Sequence, residues 1–192
     1  GYVEIDPWAG NDTITGSADP SQFELLTFTN SATTSVNINL GTGGSYVVDG
    51  TTYTLTLSDI RQVQTRDVQS DDTLIGNALD NSFNPGAGND SIDGGAGQDW
   101  VTYESHPSGI SGNISSGTAS ISDGLGGNDT ITNVEGFHGS NGGDDTITSD
   151  GSAYFFGRAG NDSVTTTNGG IFNLGSGDDT LTVTGGEASL SF

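Results

Sequence analysis

The chain has no cysteine and no methionine, and three basic residues stand against 25 acidic ones. Without cysteine there is no disulfide, no zinc–thiolate site and no thiol nucleophile. The basic residues are all arginines, Arg61, Arg66 and Arg158, and the formal net charge is −22. That field excludes nucleic acid as a partner and excludes attachment to an anionic membrane through basic residues. No apolar run is long enough to span a bilayer as a transmembrane segment, and no signal-peptide pattern opens the sequence. The first residue is Gly1 rather than Met, which reads as a processed chain or a fragment. Apolar side chains are scarce too: Leu, Ile, Val and Phe make up 41 of 192 residues, just above the level at which a highly charged chain stays disordered. Two carboxylates about 5 Å apart repel by roughly 3 kcal/mol at an effective dielectric of 20, so a compact fold that crowds them needs a counter-charge. A divalent cation supplies one.

What the chain does have is glycine, 32 residues of it, much of it just ahead of aspartate. These glycines recur at a fixed period. After Asp72-Thr73-Leu74-Ile75 come three nonapeptides, Gly76 to Asn84, Pro85 to Asp93 and Gly94 to Thr102. The residue ending each turn is Asp72, Asn81, Asp90 and Asp99, and the apolar residue two places on is Leu74, Phe83, Ile92 and Val101. Further along, aspartates close Gly-rich turns at Asp129, Asp145, Asp162 and Asp179, spaced by 16, 17 and 17 residues. Two near-nonapeptides make 17, so one rung there is two short strands and two turns, with aspartate on one turn only. A longer repetition overlies this one: residues 23–76 run parallel to 97–148, pairing Phe28 with Tyr103, Ile38 with Ile114, Ile60 with Val134 and Asp72 with Asp145.

A single nonapeptide explains the glycine. Six residues such as Gly94 to Asp99 form a turn tight enough to need φ > 0. The remaining three, such as Trp100-Val101-Thr102, form a minimal strand with its middle side chain inward and its flanks outward. Turns on one side recur every two nonapeptides, so Asp72 stacks on Asp90 and Asn81 on Asp99, about 4.8 Å apart. Carboxylates and turn carbonyls then surround gaps suited to calcium, which takes six to eight oxygen ligands, better than to magnesium, which keeps its waters. In pairs such as Asp144-Asp145 the ligand role goes to the second aspartate, and the first reads as a solvated charge.

The motif G-G-x-G-x-D-x-U-x, strict over residues 69–102, stretched over 123–182 and isolated at Gly10 to Ile14, resembles the RTX, or haemolysin-type, calcium-binding repeat family. That resemblance implies an all-β fold, a right-handed parallel β-roll or β-helix solenoid with stacked Gly-Asp turns and irregular strand insertions. It implies carboxylate ligands at Asp12, Asp72, Asp90, Asp99, Asp129, Asp145, Asp162 and Asp179, and Asn81 in the same place. Carbonyl ligands would come from Gly10, Gly86, Gly88, Gly95, Gly97, Gly127, Gly143, Gly160 and Gly177. Several calcium ions are expected, fewer than there are turns, because Asn81 replaces aspartate, Pro85 replaces glycine and the long rungs lack ligands on one side. The family also implies type I secretion from a Gram-negative bacterium and folding outside the cell on calcium.

Two segments are expected: 1–71, a first β segment with one isolated calcium turn and the first copy of the duplication, and 72–192, the calcium-binding roll. No nucleophile elbow or H-E-x-x-H is present, so no enzyme is expected. His106 and His138 read as surface or core filler. The expected role is a structural or adhesive component of a cell surface, surface layer or extracellular filament, self-associating end to end or contacting neighbouring surface proteins or polysaccharide. The competing readings are an accessory module of a secreted hydrolase or epimerase, and a lectin-like or ice-binding module. The last draws on the T-x-T series Thr13/Thr15, Thr130/Thr132, Thr146/Thr148 and Thr180/Thr182, which also reads as plain β-propensity on a solvated face.

Overall fold

The computed structural model describes residues 2–5, 7, 9–19, 22–29, 33–65 and 69–191. Arg66 and Gly1 lie outside them. The chain opens with β1 (Tyr2–Ile5), β2 (Asp12–Thr15) and β3 (Phe23–Thr27), then makes a meander of β4 (Thr33–Asn39), β5 (Gly43–Val48) and β6 (Thr51–Ser58). Short strands follow: β7 (Gln62–Gln64), β8 (Thr73–Ile75), β9 (Ser82–Asn84), β10 (Ser91–Asp93) and β11 (Trp100–Thr102). A second meander is β12 (Ser111–Ser115), β13 (Thr118–Ser122) and β14 (Asn128–Thr132). The remaining strands are β15 (Gly136–His138), β16 (Thr146–Ser149), β17 (Tyr154–Phe156), β18 (Ser163–Thr166), β19 (Gly170–Asn173), β20 (Thr180–Val183) and β21 (Ala188–Ser191). Among the described residues there is no helix, and so none long and apolar enough to cross a membrane.

The protein is all-β with a β-helix-like architecture, because outside the meanders the chain alternates strand by strand between two long sheets. One sheet is wholly parallel, in the order β1-β3-β7-β9-β11-β15-β17-β19-β21. The other is mixed, in the order β2-β6-β5-β4-β8-β10-β14-β13-β12-β16-β18-β20. Each meander enters this second sheet backwards: β4 lies against β8 and β6 returns to β2, just as β12 lies against β16 and β14 returns to β10. Both sheets run across residue 72, the expected boundary.

Three-residue strands hold because each gives one side chain to a column. In the parallel sheet Leu26, Val63, Phe83, Val101, Phe137, Phe155 and Phe172 are successive register partners. Facing them, Ile38, Leu74, Ile92 and Ile131 stack in the mixed sheet, and Ile147 on Val164. All of these are at most 1% exposed. Burying each contributes about 1.5–3 kcal/mol. Ile, Val and Phe supply every side chain in these columns except Leu26 and Leu74, which is how a core forms from so few apolar residues. The register also differs from the expected pairing of the two long repeats in one respect. Ile38 partners Leu74 while Gly112 partners Ile147, so Ile38 corresponds to Gly112 and not to Ile114.

Candidate metal centre

Parallel pairing of the short strands lays each turn on the next, and the aspartates stitch the turns together. Each carboxylate Oδ1 accepts the backbone N–H of its counterpart one rung earlier. Asp72 N–H donates to Asp90 at 2.8 Å, and Asp90 N–H to Asp129 at 3.0 Å. The same bond joins Asp145 to Asp162 and Asp162 to Asp179, both at 2.9 Å. On the opposite side Asn81 N–H donates to Asp99 at 2.7 Å. Where no aspartate precedes, the meander supplies the donor: Val36 N–H to Asp72 and Ile110 N–H to Asp145.

The residue ahead of each aspartate forms a second ladder running the other way. Asn89 N–H donates to Asp71 at 2.8 Å, Asn128 N–H to Asn89 at 3.1 Å, Asn161 N–H to Asp144 at 2.7 Å and Asp178 N–H to Asn161 at 2.9 Å. Asp144 is therefore not merely a solvated charge. Two adjacent Asx side chains tie a rung to its neighbours above and below.

Burial makes the inner ladder electrostatically costly. Asp72, Asp90, Asp99, Asp129, Asp145 and Asp162 are at most 2% exposed. Loss of water pushes the carboxyls of Asp72 and Asp99 up to about 6 and that of Asp145 up to about 7, against the opposing pull of the backbone N–H each accepts. Burial raises Asp90, Asp129 and Asp162 as well, with neighbouring carboxylates adding to the effect.

The second oxygens decide what fits here. Oδ2 of Asp72, Asp90, Asp99 and Asp162 is buried and has no hydrogen-bond partner. A Cβ on Gly94 would lie 2.8 Å from the free oxygen of Asp99, and one on Gly157 would lie 2.1 Å from that of Asp162. The free oxygens of Asp99 and Asp162 thus sit inside their own turns, in space kept open by the opening glycine. A buried, unsatisfied, anionic oxygen beside turn carbonyls is what a hard cation such as calcium meets best. Asp129 and Asp145 fit less well, because Tyr103 O–H caps Oδ2 of the first at 2.7 Å and Ser140 N–H that of the second at 3.1 Å.

The expected carbonyl ligands fall on these turns. Gly86, Gly88, Gly95, Gly97, Gly160 and Gly177 all have positive φ. At Gly88 and Gly160 a Cβ would meet the carbonyl oxygen of Ser70 at 2.3 Å and of Gly143 at 2.4 Å on the adjacent rung, so only glycine lets the turns stack this closely. Gly127 packs in the same way on the Gly88 carbonyl. The Gly143 carbonyl also accepts the Ser140 hydroxyl at 3.0 Å. Asp12 stands apart from the other aspartates. It lies in β2 opposite Leu55, while Asn11 accepts Thr54 N–H and the Gly10 carbonyl accepts Tyr46 O–H. Asp179, on the outermost of these rungs, is half-exposed.

Two carboxylates join the array without having been singled out in the sequence. Glu135 takes the ladder position beyond Asp99, accepting its N–H at 2.8 Å. Asp123 is fully buried; its Oδ1 accepts the N–H groups of Leu125, Gly126 and Gly127, and its Oδ2 has no partner. The acid-then-glycine run Asp123-Gly124-Leu125-Gly126-Gly127 was the available signal. Of the histidines, His106 is buried on the Asp123 carbonyl, and His138 contacts Glu104 and Arg158 at the surface. Among the described residues no three Asp, Glu, His or Cys side chains converge on one point, so a cation here would be held by one or two carboxylates and by carbonyls. Compared with protein-family models and with curated proteins, the chain matches none.

Proposed function

We propose that the chain is a secreted, calcium-binding, right-handed β-roll of the RTX type, which folds on calcium and serves as a structural or adhesive component of a bacterial surface layer or extracellular filament. The observation that carries this is the rung-on-rung stack of buried aspartates, four of which keep an unpartnered oxygen, in a chain of net charge −22. Such a stack cannot stay ionised in a sparse core without cations. Asp72, Asp90, Asp99 and Asp162 would hold the ions with neighbouring turn carbonyls. Bound calcium supplies charge cancellation between rungs. The chain's own groups do the rest: Oδ1 fixes the register of successive turns, and the single inward side chain of each strand closes the core. Sites built from few carboxylates suit millimolar extracellular calcium, at Kd about 10⁻⁴–10⁻³ M.

Equilibrium dialysis against radioactive calcium tests the reading. Several ions bound in that affinity range, undisplaced by equal magnesium, are expected. No calcium retained at about 5 mM, well above that range, rejects it.

A further inference from the structure

The outward face of the parallel sheet carries an aromatic cluster that calcium binding leaves unused. Val101, Phe137 and Phe155 take the inward positions of β11, β15 and β17, so Trp100, His138, Tyr154 and Phe156 face out. The Trp100 indole lies against the sheet. A Cβ on its register partner Gly136 would sit 2.3–2.5 Å from three atoms of the six-membered ring, so only glycine leaves it room. Tyr154 stacks beside it with ring centres 6.1 Å apart and planes at 27°, while His138 and Phe156 lie at 4.9 and 5.6 Å. Laid on glycine and fenced by three other rings, the indole is half-buried and keeps part of its surface open to solvent.

Beside that indole opens a cavity of about 340 Å³, whose walls include Gln62, Asp80, Ser82, Gln98 and His138. Gln62 pairs with Ser82 and Ser82 with Trp100, so amide, hydroxyl and indole follow one another across adjacent strands. Asp80 is fixed on the rim, accepting Gln98 N–H at 2.9 Å. β7, β9, β11 and β15 are interior strands with both edges paired, which leaves no edge for a peptide to extend. A purely apolar ligand would strip water from the amides and the carboxylate without replacing it. Asp80 and the net charge of −22 repel an anionic polymer.

We propose that this face binds a neutral oligosaccharide, one hexopyranose ring stacking its C–H face on Trp100 and hydrogen-bonding through its hydroxyls to Gln62, Asp80, Ser82 and Gln98. The site deepens the adhesive reading by naming its ligand class and rests on that reading. Asn81 of the inner ladder also borders the cavity and the Asp80–Gln98 bond is a step of the outer one, but Trp100 and Gln62 belong to neither, so variants at these two let the readings fail separately.

The test uses the full chain in calcium, titrated with linear hexasaccharides of β-1,4-glucose, α-1,4-glucose and β-1,4-mannose, read by calorimetry. Circular dichroism of each variant with and without chelator runs alongside. At least one hexasaccharide binds with Kd about 10⁻³ M or tighter. Trp100→Ala abolishes the heat and Gln62→Ala weakens binding several-fold, with the calcium response of both variants unchanged. Should Trp100→Ala not fold, Trp100→Phe and Gln62→Ala carry the test, each weakening binding on a normal fold. Absence of heat with all three sugars, or unaltered binding by the folded variants, overturns the site and leaves calcium binding standing. Sugar binding in a chain whose strand signal ignores chelation sinks the calcium reading and leaves the site.

Discussion

The rungs of residues 72–102 and those of residues 145–183 share strands and core columns but close their turns differently. In the first region both sides of a rung end on a buried Asx residue, Asp72 and Asp90 on one side, Asn81 and Asp99 on the other. In the second, only one side ends on aspartate, at the buried Asp145 and Asp162 and the half-exposed Asp179. The other side closes with hydroxyls: Ser149 Oγ accepts Gly151 N–H at 3.0 Å, and Thr166 Oγ1 donates to the Gly169 carbonyl at 2.9 Å, both residues buried. On that side the one carboxylate, Asp150, is half-exposed and accepts the Ser115 and Ser116 hydroxyls and Ser152 N–H, so both of its oxygens are satisfied, unlike the buried free oxygens of the aspartate side. Buried, unsatisfied charge is thus a property of individual turns and not of the repeat as such, and on the proposed reading so is the need for calcium.

The largest effect that sharpens this contrast is pH dependence without calcium. A carboxyl whose folded pKa is raised contributes stability that is fully present below its unfolded value, near 4, and is lost as pH rises through the folded value. With Asp72 and Asp99 at about 6 and Asp145 at about 7, the Tm of the chelated chain should fall steadily between pH 4 and about 8. Saturating calcium should remove that slope. A flat profile in chelator would mean that the buried carboxyls are not the liability.

Next comes the ladder itself. Asp90→Ala leaves the buried Asp72 N–H without an acceptor and removes an ion ligand, costing about 3 kcal/mol in calcium by denaturant titration. Asp90→Asn keeps the Oδ1 acceptor and discards the charge, so its sign should reverse: about 1–2 kcal/mol less stable than the parent with calcium, and more stable than the parent in chelator at pH 8. The same sign in both conditions contradicts the assignment.

Turn stacking gives a smaller effect. Gly88→Ala forces a Cβ to 2.3 Å from the Ser70 carbonyl at φ +141°, at about 2–3 kcal/mol. Gly117→Ala, at φ +77° with open space around it, should cost only about 1 kcal/mol. The smallest change lies on the side closed by hydroxyls. Thr166→Val loses one turn-closing bond, about 1 kcal/mol, and by an equal amount with or without calcium.

Much of this was legible in the sequence, because a short repeat encodes contacts that are local in rung space. The spacing of nine placed Leu74, Phe83, Ile92 and Val101 inward and Asp72 under Asp90. The meanders were not legible: nothing local tells β4 to lie beside β8, 36 residues on, while β6 returns to β2. Glu135 escaped notice because its longer side chain reaches the ladder from outside the motif. Asp144 read as a solvated charge and Asp71 was not singled out, because an exposed aspartate gives no sign in sequence of the N–H it accepts a rung away. Trp100 read as a strand flank, since its packing depends on Gly136, which the fold alone brings beneath it.

The central claim is that cations between rungs neutralise aspartates the core cannot otherwise keep buried. Far-ultraviolet circular dichroism melts of the purified chain at neutral pH, in calcium and then in excess chelator, address it most directly. A cooperative strand signal in calcium that is lost, or melts far lower, in chelator is the predicted result. Identical spectra and identical melting temperatures in the two buffers would contradict it.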